Sequence, residues 1–140
     1  MIDVAWIVIR KQSRFLLAQR SPNDKAGGAW VFPGGKKDSI DNNLIQTARR
    51  ELLEEVGLKG SDFHQLLQIS QNKYRIWIFA CLKWIGQPQP NCNDIVGIGW
   101  FTLQEMYAMK ENLAPYVNTM LPELAYCAQH YKAHPEEWKW

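Results

Sequence analysis

Cysteine is scarce. The 140 residues hold three, Cys81, Cys92 and Cys127, far apart and odd in number. With no CxxC pair, a structural zinc site is not expected, and free thiols in a reducing cytosol are the reading. Histidine is equally thin: His64, His130 and His134 make no ligand spacing with one another or with the cysteines. No apolar run reaches the ~20 residues of a membrane span. The N-terminus offers neither a basic n-region nor a small-residue cleavage site, and Asp3 interrupts its short apolar run. An excess of one charge is missing too. The 16 basic and 14 acidic residues leave +2, which argues against general nucleic-acid binding, DNA included, because such binders carry a clear basic excess. Repeats, linkers and low-complexity stretches are absent. What remains reads as a soluble, cytoplasmic chain forming one domain over 1–140, monomeric or homodimeric. Its 46% hydrophobic and 12% aromatic residues are enough for a core.

Residues 4–9 and 15–18 are short apolar runs around a polar stretch, which predicts two antiparallel strands joined by a turn. Ser21-Pro22-Asn23-Asp24 signals a turn and Gly27-Gly28 a loop. Trp30-Val31-Phe32 predicts a short strand, stopped by Pro33-Gly34-Gly35. The clearest helix covers 44–56: Asn43 is the N-cap, Gln46 stands in capping-box register, and Gly57 is the residue beyond the end. Ile45, Ala48, Leu52 and Val56 recur at helical spacing and predict its core face. Residues 73–85 predict a long strand apolar on both faces, and 95–101 another. Thr102, with Glu105, opens a helix. Residues 116–131 predict a C-terminal helix in which Pro122 threatens a break near the start. The expected class is α/β, a sheet covered by helices on both sides.

The 44–56 helix carries Glu51, Glu54 and Glu55 at i, i+3 and i+4. These project from one face, roughly opposite the apolar stripe, and repel one another. A divalent cation removes that repulsion, and carboxylates with retained waters and phosphates are what Mg²⁺ prefers. Exposed glutamates alone also suit a solvated helix. The neighbours weigh against that bland reading. Pro33-Gly34-Gly35-Lys36 lets main chain approach a ligand closely, and Gly57 closes the helix.

Arg50-Glu51-Leu52-Leu53-Glu54-Glu55-Val56-Gly57-Leu58 resembles, position for position, the end of the Nudix box, and the Gly35 turn resembles its start. Leu16-Leu17-Ala18-Gln19-Arg20 and Trp30-Val31-Phe32-Pro33-Gly34-Gly35-Lys36 look like the family's MutT-type branch. The likeness runs over roughly 4–103. One departure stands out: counting forward from Gly35 reaches Asp41, counting back from Arg50 reaches Asn42, and the Glu that the box places there is absent. The loop is longer, and Asp41 is the candidate partner for Arg50.

The resemblance implies an α/β/α sandwich with a mixed sheet and a Glu-rich catalytic helix after the Gly-Gly turn. It also implies Mg²⁺, with Mn²⁺ as a substitute, held by Glu51, Glu54, Glu55 and the Gly35 turn's main chain. Arg50 would orient the glutamates. The general base stays open among the glutamates and a loop carboxylate, Asp94. Arg20 and Lys36 resemble phosphate contacts, and Asn112 sits where relatives present an amide to a purine. Trp6, Trp77 and Phe79 read as core more than pocket. The partner is a small nucleotide. The leading expectation is hydrolysis of an NTP or dNTP, oxidised ones included, to monophosphate and pyrophosphate. The alternatives are another substrate (a nucleotide sugar, ADP-ribose, a dinucleoside polyphosphate or capped RNA) or a catalytically weak nucleotide-sensing or partner-binding module.

Overall fold

A computed structural model describes residues 1–24 and 27–133, with side chains through Tyr126. The side chains of Cys127 and His130, together with His134 and the Trp138 and Trp140 tail, lie outside the described residues.

β1 (Ile2–Val8) is buried along most of its length, and it occupies an inner position of the first sheet. On one side it runs parallel to β7 (Tyr74–Ile85); on the other it pairs antiparallel with β5 (Gly34–Lys36). The sheet order is β5-β1-β7-β6, with β6 (Lys59–Gln71) forming a long hairpin on β7. The second sheet is antiparallel. Here β3 (Arg14–Arg20) pairs with β8 (Ile95–Thr102) on one side and with β2 (Arg10–Lys11) and β4 (Trp30–Val31) on the other. The α/β class and mixed sheet are as expected, but the strands divide between two sheets.

The expected hairpin of 4–9 with 15–18 is corrected. β1 and β3 belong to different sheets, and only β2 and the Ile9 carbonyl face the start of β3. The chain changes sheets at Ile9 because β1, apolar on both faces, is better buried between β5 and β7 than on a hairpin. The 34–36 turn is also a strand. Without a side chain, Gly34 can lie against β1; a Cβ there would run into the Ala5 carbonyl oxygen. Strand β6 was not anticipated: its polar, half-exposed sequence has no apolar alternation to announce it.

α1 (Leu44–Val56) has the expected bounds. Asn43 Oδ1 accepts from Gln46 N at 2.9 Å, and Gly57 closes the helix in the left-handed region at φ 74°. Gln46 Oε1 reaches back one residue further than a capping box requires, accepting from Asn42 N at 2.8 Å. Ala48, Leu52 and Val56 are buried as predicted, but Ile45 is 39% exposed. The inner face instead includes Thr47 and Glu55, because it meets the polar 37–43 loop and the Gly34 turn as well as the apolar sheet.

α2 (Leu103–Ala108) begins with the expected Thr102–Glu105 capping box. A single 3-10 turn, Lys110–Asn112, leads to α3 (Pro115–Ala133). Pro122 sits inside α3 without ending it: Val117, Met120, Leu121 and Leu124 are buried around it and hold the helix to the core. Among the described residues no helix is long and apolar enough to cross a membrane.

Candidate active site

Two pieces of backbone create the site. β5 is held at the edge of the first sheet by its pairing with β1, and α1 packs over both strands. The inner side of α1 thereby faces the Gly34–Gly35 main chain. Glu55 is 6% exposed and accepts a hydrogen bond from Gly34 N at 2.7 Å. Glu51 lies directly against Gly35, where a Cβ would stand 2.6 Å from its carboxylate. Glu54 points outward. The three glutamates therefore do not share one solvated face: Glu55 belongs to the buried side, and this corrects the expected placement.

Arg50 ties the helix to the loop. Its Nε and Nη2 donate to the two Asp41 oxygens at 3.0 and 2.8 Å, and Nη2 also donates to the Lys36 carbonyl at 3.1 Å. Nη1 donates to Glu51 at 3.0 Å and Glu54 at 3.3 Å. Asp41 is 4% exposed and is completed by Thr47 Oγ1 and the Asp38 N–H, each at 2.9 Å. The Arg50 guanidinium holds the Asp41 carboxyl far below the usual range, and Asp41 in turn raises the affinity of Arg50 for its proton. The longer loop thus supplies the reach that an aspartate lacks.

The electrostatics of the other two carboxylates run the opposite way. Burial pushes Glu55 up to about 7, opposed by the Gly34 N–H and by Arg20, whose Nη1 lies 3.4 Å from Glu55 Oε2, and reinforced by the charges of Glu51 and Asp94. Burial also raises Glu51, opposed by Arg50. Two desolvated carboxylates, Glu51 raised further by Glu54 and Glu55 by Glu51, leave negative charge that a cation would relieve. The donors available, carboxylates and main-chain carbonyls, are hard oxygens of the kind Mg²⁺ takes. As they stand, no three such side chains among the described residues converge on one point, because Arg50 draws Glu51 and Glu54 aside while Gly34 holds Glu55.

These groups line a cleft of about 680 Å³, together with Arg20, Lys36 and Asp94. The structure thus brings together every expected site residue except Asn112. That residue sits exposed on the 3-10 turn and is a wall of neither this cleft nor the cavity beside it. The neighbouring cavity, about 370 Å³, shares Arg20, Gly34, Gly35 and Lys36 with the cleft and continues into Trp6, Gln71, Tyr74 and Tyr116. Of the three aromatics expected in the core, Phe79 is buried and Trp77 donates its indole N–H to Asp3 at 3.0 Å. Trp6 both packs in the core and walls this cavity. Tyr74 and Tyr116 were missed. Their only signal was adjacency to strand and helix starts, which burial in a core explains equally well.

A family model described as NUDIX domain matches residues 1–124. The chain belongs to the NUDIX family. It is an enzyme of the Nudix pyrophosphohydrolase kind. It is 27% identical over 136 residues to the phosphatase NudJ of Escherichia coli, covering 93% of this chain and 84% of NudJ. It is 45% identical over 65 residues to an uncharacterized Nudix hydrolase, NudL, of Yersinia enterocolitica, a stretch that covers 46% of this chain and only 33% of NudL. Its fold matches the MutT NUDIX hydrolase of Burkholderia pseudomallei with a TM-score of 0.76 at 20% identity, over 86% of this chain and 95% of that one.

Proposed function

We propose that this Nudix hydrolase cleaves a nucleoside triphosphate, ribo- or deoxyribo-, to the monophosphate and pyrophosphate, with Mg²⁺ as cofactor. The observation that carries the reading is Glu55, buried against the Gly34 N–H, charged with difficulty, and set beside Glu51 at the wall of a cleft that Arg20 and Lys36 also line. Glu51, Glu54, Glu55 and the main-chain carbonyl at Gly34–Gly35 would hold the metal. Bound there, Mg²⁺ supplies charge neutralisation for the phosphate oxygens and a lowered pKa for the attacking water.

The chain's own groups do the rest. Arg20 and Lys36, both lining the cleft, would hold phosphate oxygens. Arg50, locked to Asp41 and the Lys36 carbonyl, keeps Glu51 and Glu54 in place. One carboxylate of the site takes a proton from water as its oxygen bonds to phosphorus and the bridging P–O bond breaks. Glu51, Glu55 and Asp94 all line the cleft as acceptors. The test is a Mg²⁺-dependent hydrolysis screen over NTPs, dNTPs, 8-oxo-dGTP, ADP-ribose, nucleotide sugars and dinucleoside polyphosphates. Triphosphate turnover to monophosphate and pyrophosphate is the expected result. Turnover confined to another diphosphate class would overturn the substrate assignment, and no turnover with any of them would overturn the hydrolase reading.

A further inference from the structure

The aromatic cavity adjoins the glutamate cleft through four shared residues, so a molecule whose phosphates lie against Arg20 and Lys36 has its next portion directed at Trp6, Tyr74 and Tyr116. Trp6 and Tyr116 are already stacked on each other, ring centroids 3.6 Å apart and planes 24° from parallel. A ligand ring therefore cannot slide between them; it finds one preformed aromatic wall, joined from β1 and the start of α3. Tyr74, which also lines the cavity, is flanked by two ammonium groups, Lys36 Nζ at 5.9 Å and Lys73 Nζ at 5.5 Å from its ring centroid. The cavity's charged lining consists of Arg20 and Lys36, both on the phosphate side. Among the described residues its only side-chain amide is Gln71, an exposed residue at the end of β6.

Reading a base by its edge needs buried donors and acceptors that would be left unpaired by the wrong base. This cavity has ring faces in depth and one solvated amide at its rim. Stacking is tolerant, because every base has a π-face. Resting on the nucleotide hydrolysis proposed above, we infer that the aromatic cavity holds the substrate's heteroaromatic ring by stacking on the Trp6–Tyr116 wall and discriminates poorly among bases. Trp6 and Tyr116 are then affinity determinants for the ring, and Gln71 contributes little selectivity.

The test is calorimetric binding of AMP, GMP, CMP and UMP, with ribose 5-phosphate as the ring-free control. Binding is read without turnover, so a protein that hydrolyses nothing can still bear out or refute the cavity's role. The four monophosphates are expected to bind within about tenfold of one another, and ribose 5-phosphate roughly tenfold or more weakly, the scale of one base stacked on an aromatic side chain. Trp6→Leu should remove the difference between AMP and ribose 5-phosphate. Should that variant fail to fold, judged by circular dichroism, Tyr74→Leu, at another lining residue of the cavity, is read instead. It should weaken AMP several-fold while leaving ribose 5-phosphate unchanged. A preference above about a hundredfold for one base, or ribose 5-phosphate binding as well as AMP, would overturn the inference. So would nucleotide affinities unchanged in the folded variant.

Discussion

Glu55 and Asp41 lie at opposite ends of one electrostatic arrangement. Asp41 is buried but satisfied by a bidentate guanidinium, a hydroxyl and an N–H, so its charge is stable. Removing it leaves Arg50 without its main partner, and Asp41→Ala should cost about 3 kcal/mol, the scale for breaking a buried pair, measured by urea unfolding. Because its proton affinity is depressed on folding, the contribution of Asp41 is present above the ordinary carboxylate range and fades as pH falls below about 4. Glu55 acts in the reverse sense. Folding raises it from 4.5 to about 7, so the metal-free folded state binds more protons than the unfolded chain across that window. Stability therefore falls as pH rises from about 4.5 to 7. Thermal melts of metal-free protein between pH 5 and 8 should show that decline, and Glu55→Gln should flatten it. A melting profile with the same slope in both proteins would contradict this account of Glu55.

At the level of elements, the site is a helix laid over a glycine strand. Gly35→Ala should place a methyl group against the Glu51 carboxylate and cut turnover at least tenfold with the fold kept, read as kcat beside a circular dichroism spectrum. An unimpaired Gly35→Ala enzyme would mean that Glu51 does not need its present position. How legible these elements were in the sequence follows from what each one is made of. α1 could be read to the residue because its cap, its apolar spacing and its terminal glycine agree. Arg50, Glu51, Glu54 and Glu55 came with it, and the Asp41–Arg50 pair followed from counting the loop. The sheet assignments could not be read. β1 is apolar on both faces, so periodicity does not say which neighbour it takes, and β5 is two glycines and a lysine with no strand propensity of its own. The burial of Glu55 was hidden for a related reason: helical spacing groups it with Glu51, and only the docking of β5 shows which side faces inward. Tyr116 joins the aromatic wall through a contact between chain positions far apart, which no local pattern signals.

For the whole molecule, the two cavities meet at one strand. β5 presents Gly34, Gly35 and Lys36 to both, so the sheet that buries β1 also sets the distance between the ring and phosphate ends of a ligand. Mass action then links the site to global stability. Mg²⁺ that binds only the folded protein should raise the melting temperature, by the equivalent of about 2.7 kcal/mol at a hundredfold excess over Kd. The rise should shrink in Glu55→Gln, and an equal rise in both proteins would place the metal elsewhere.

The most direct test of the central claim compares wild type and Glu55→Gln for Mg²⁺-dependent conversion of nucleoside triphosphates, with both products identified. Monophosphate and pyrophosphate are expected from the wild type, with a loss of at least a hundredfold in the folded variant. Equal rates in the two proteins would contradict that claim.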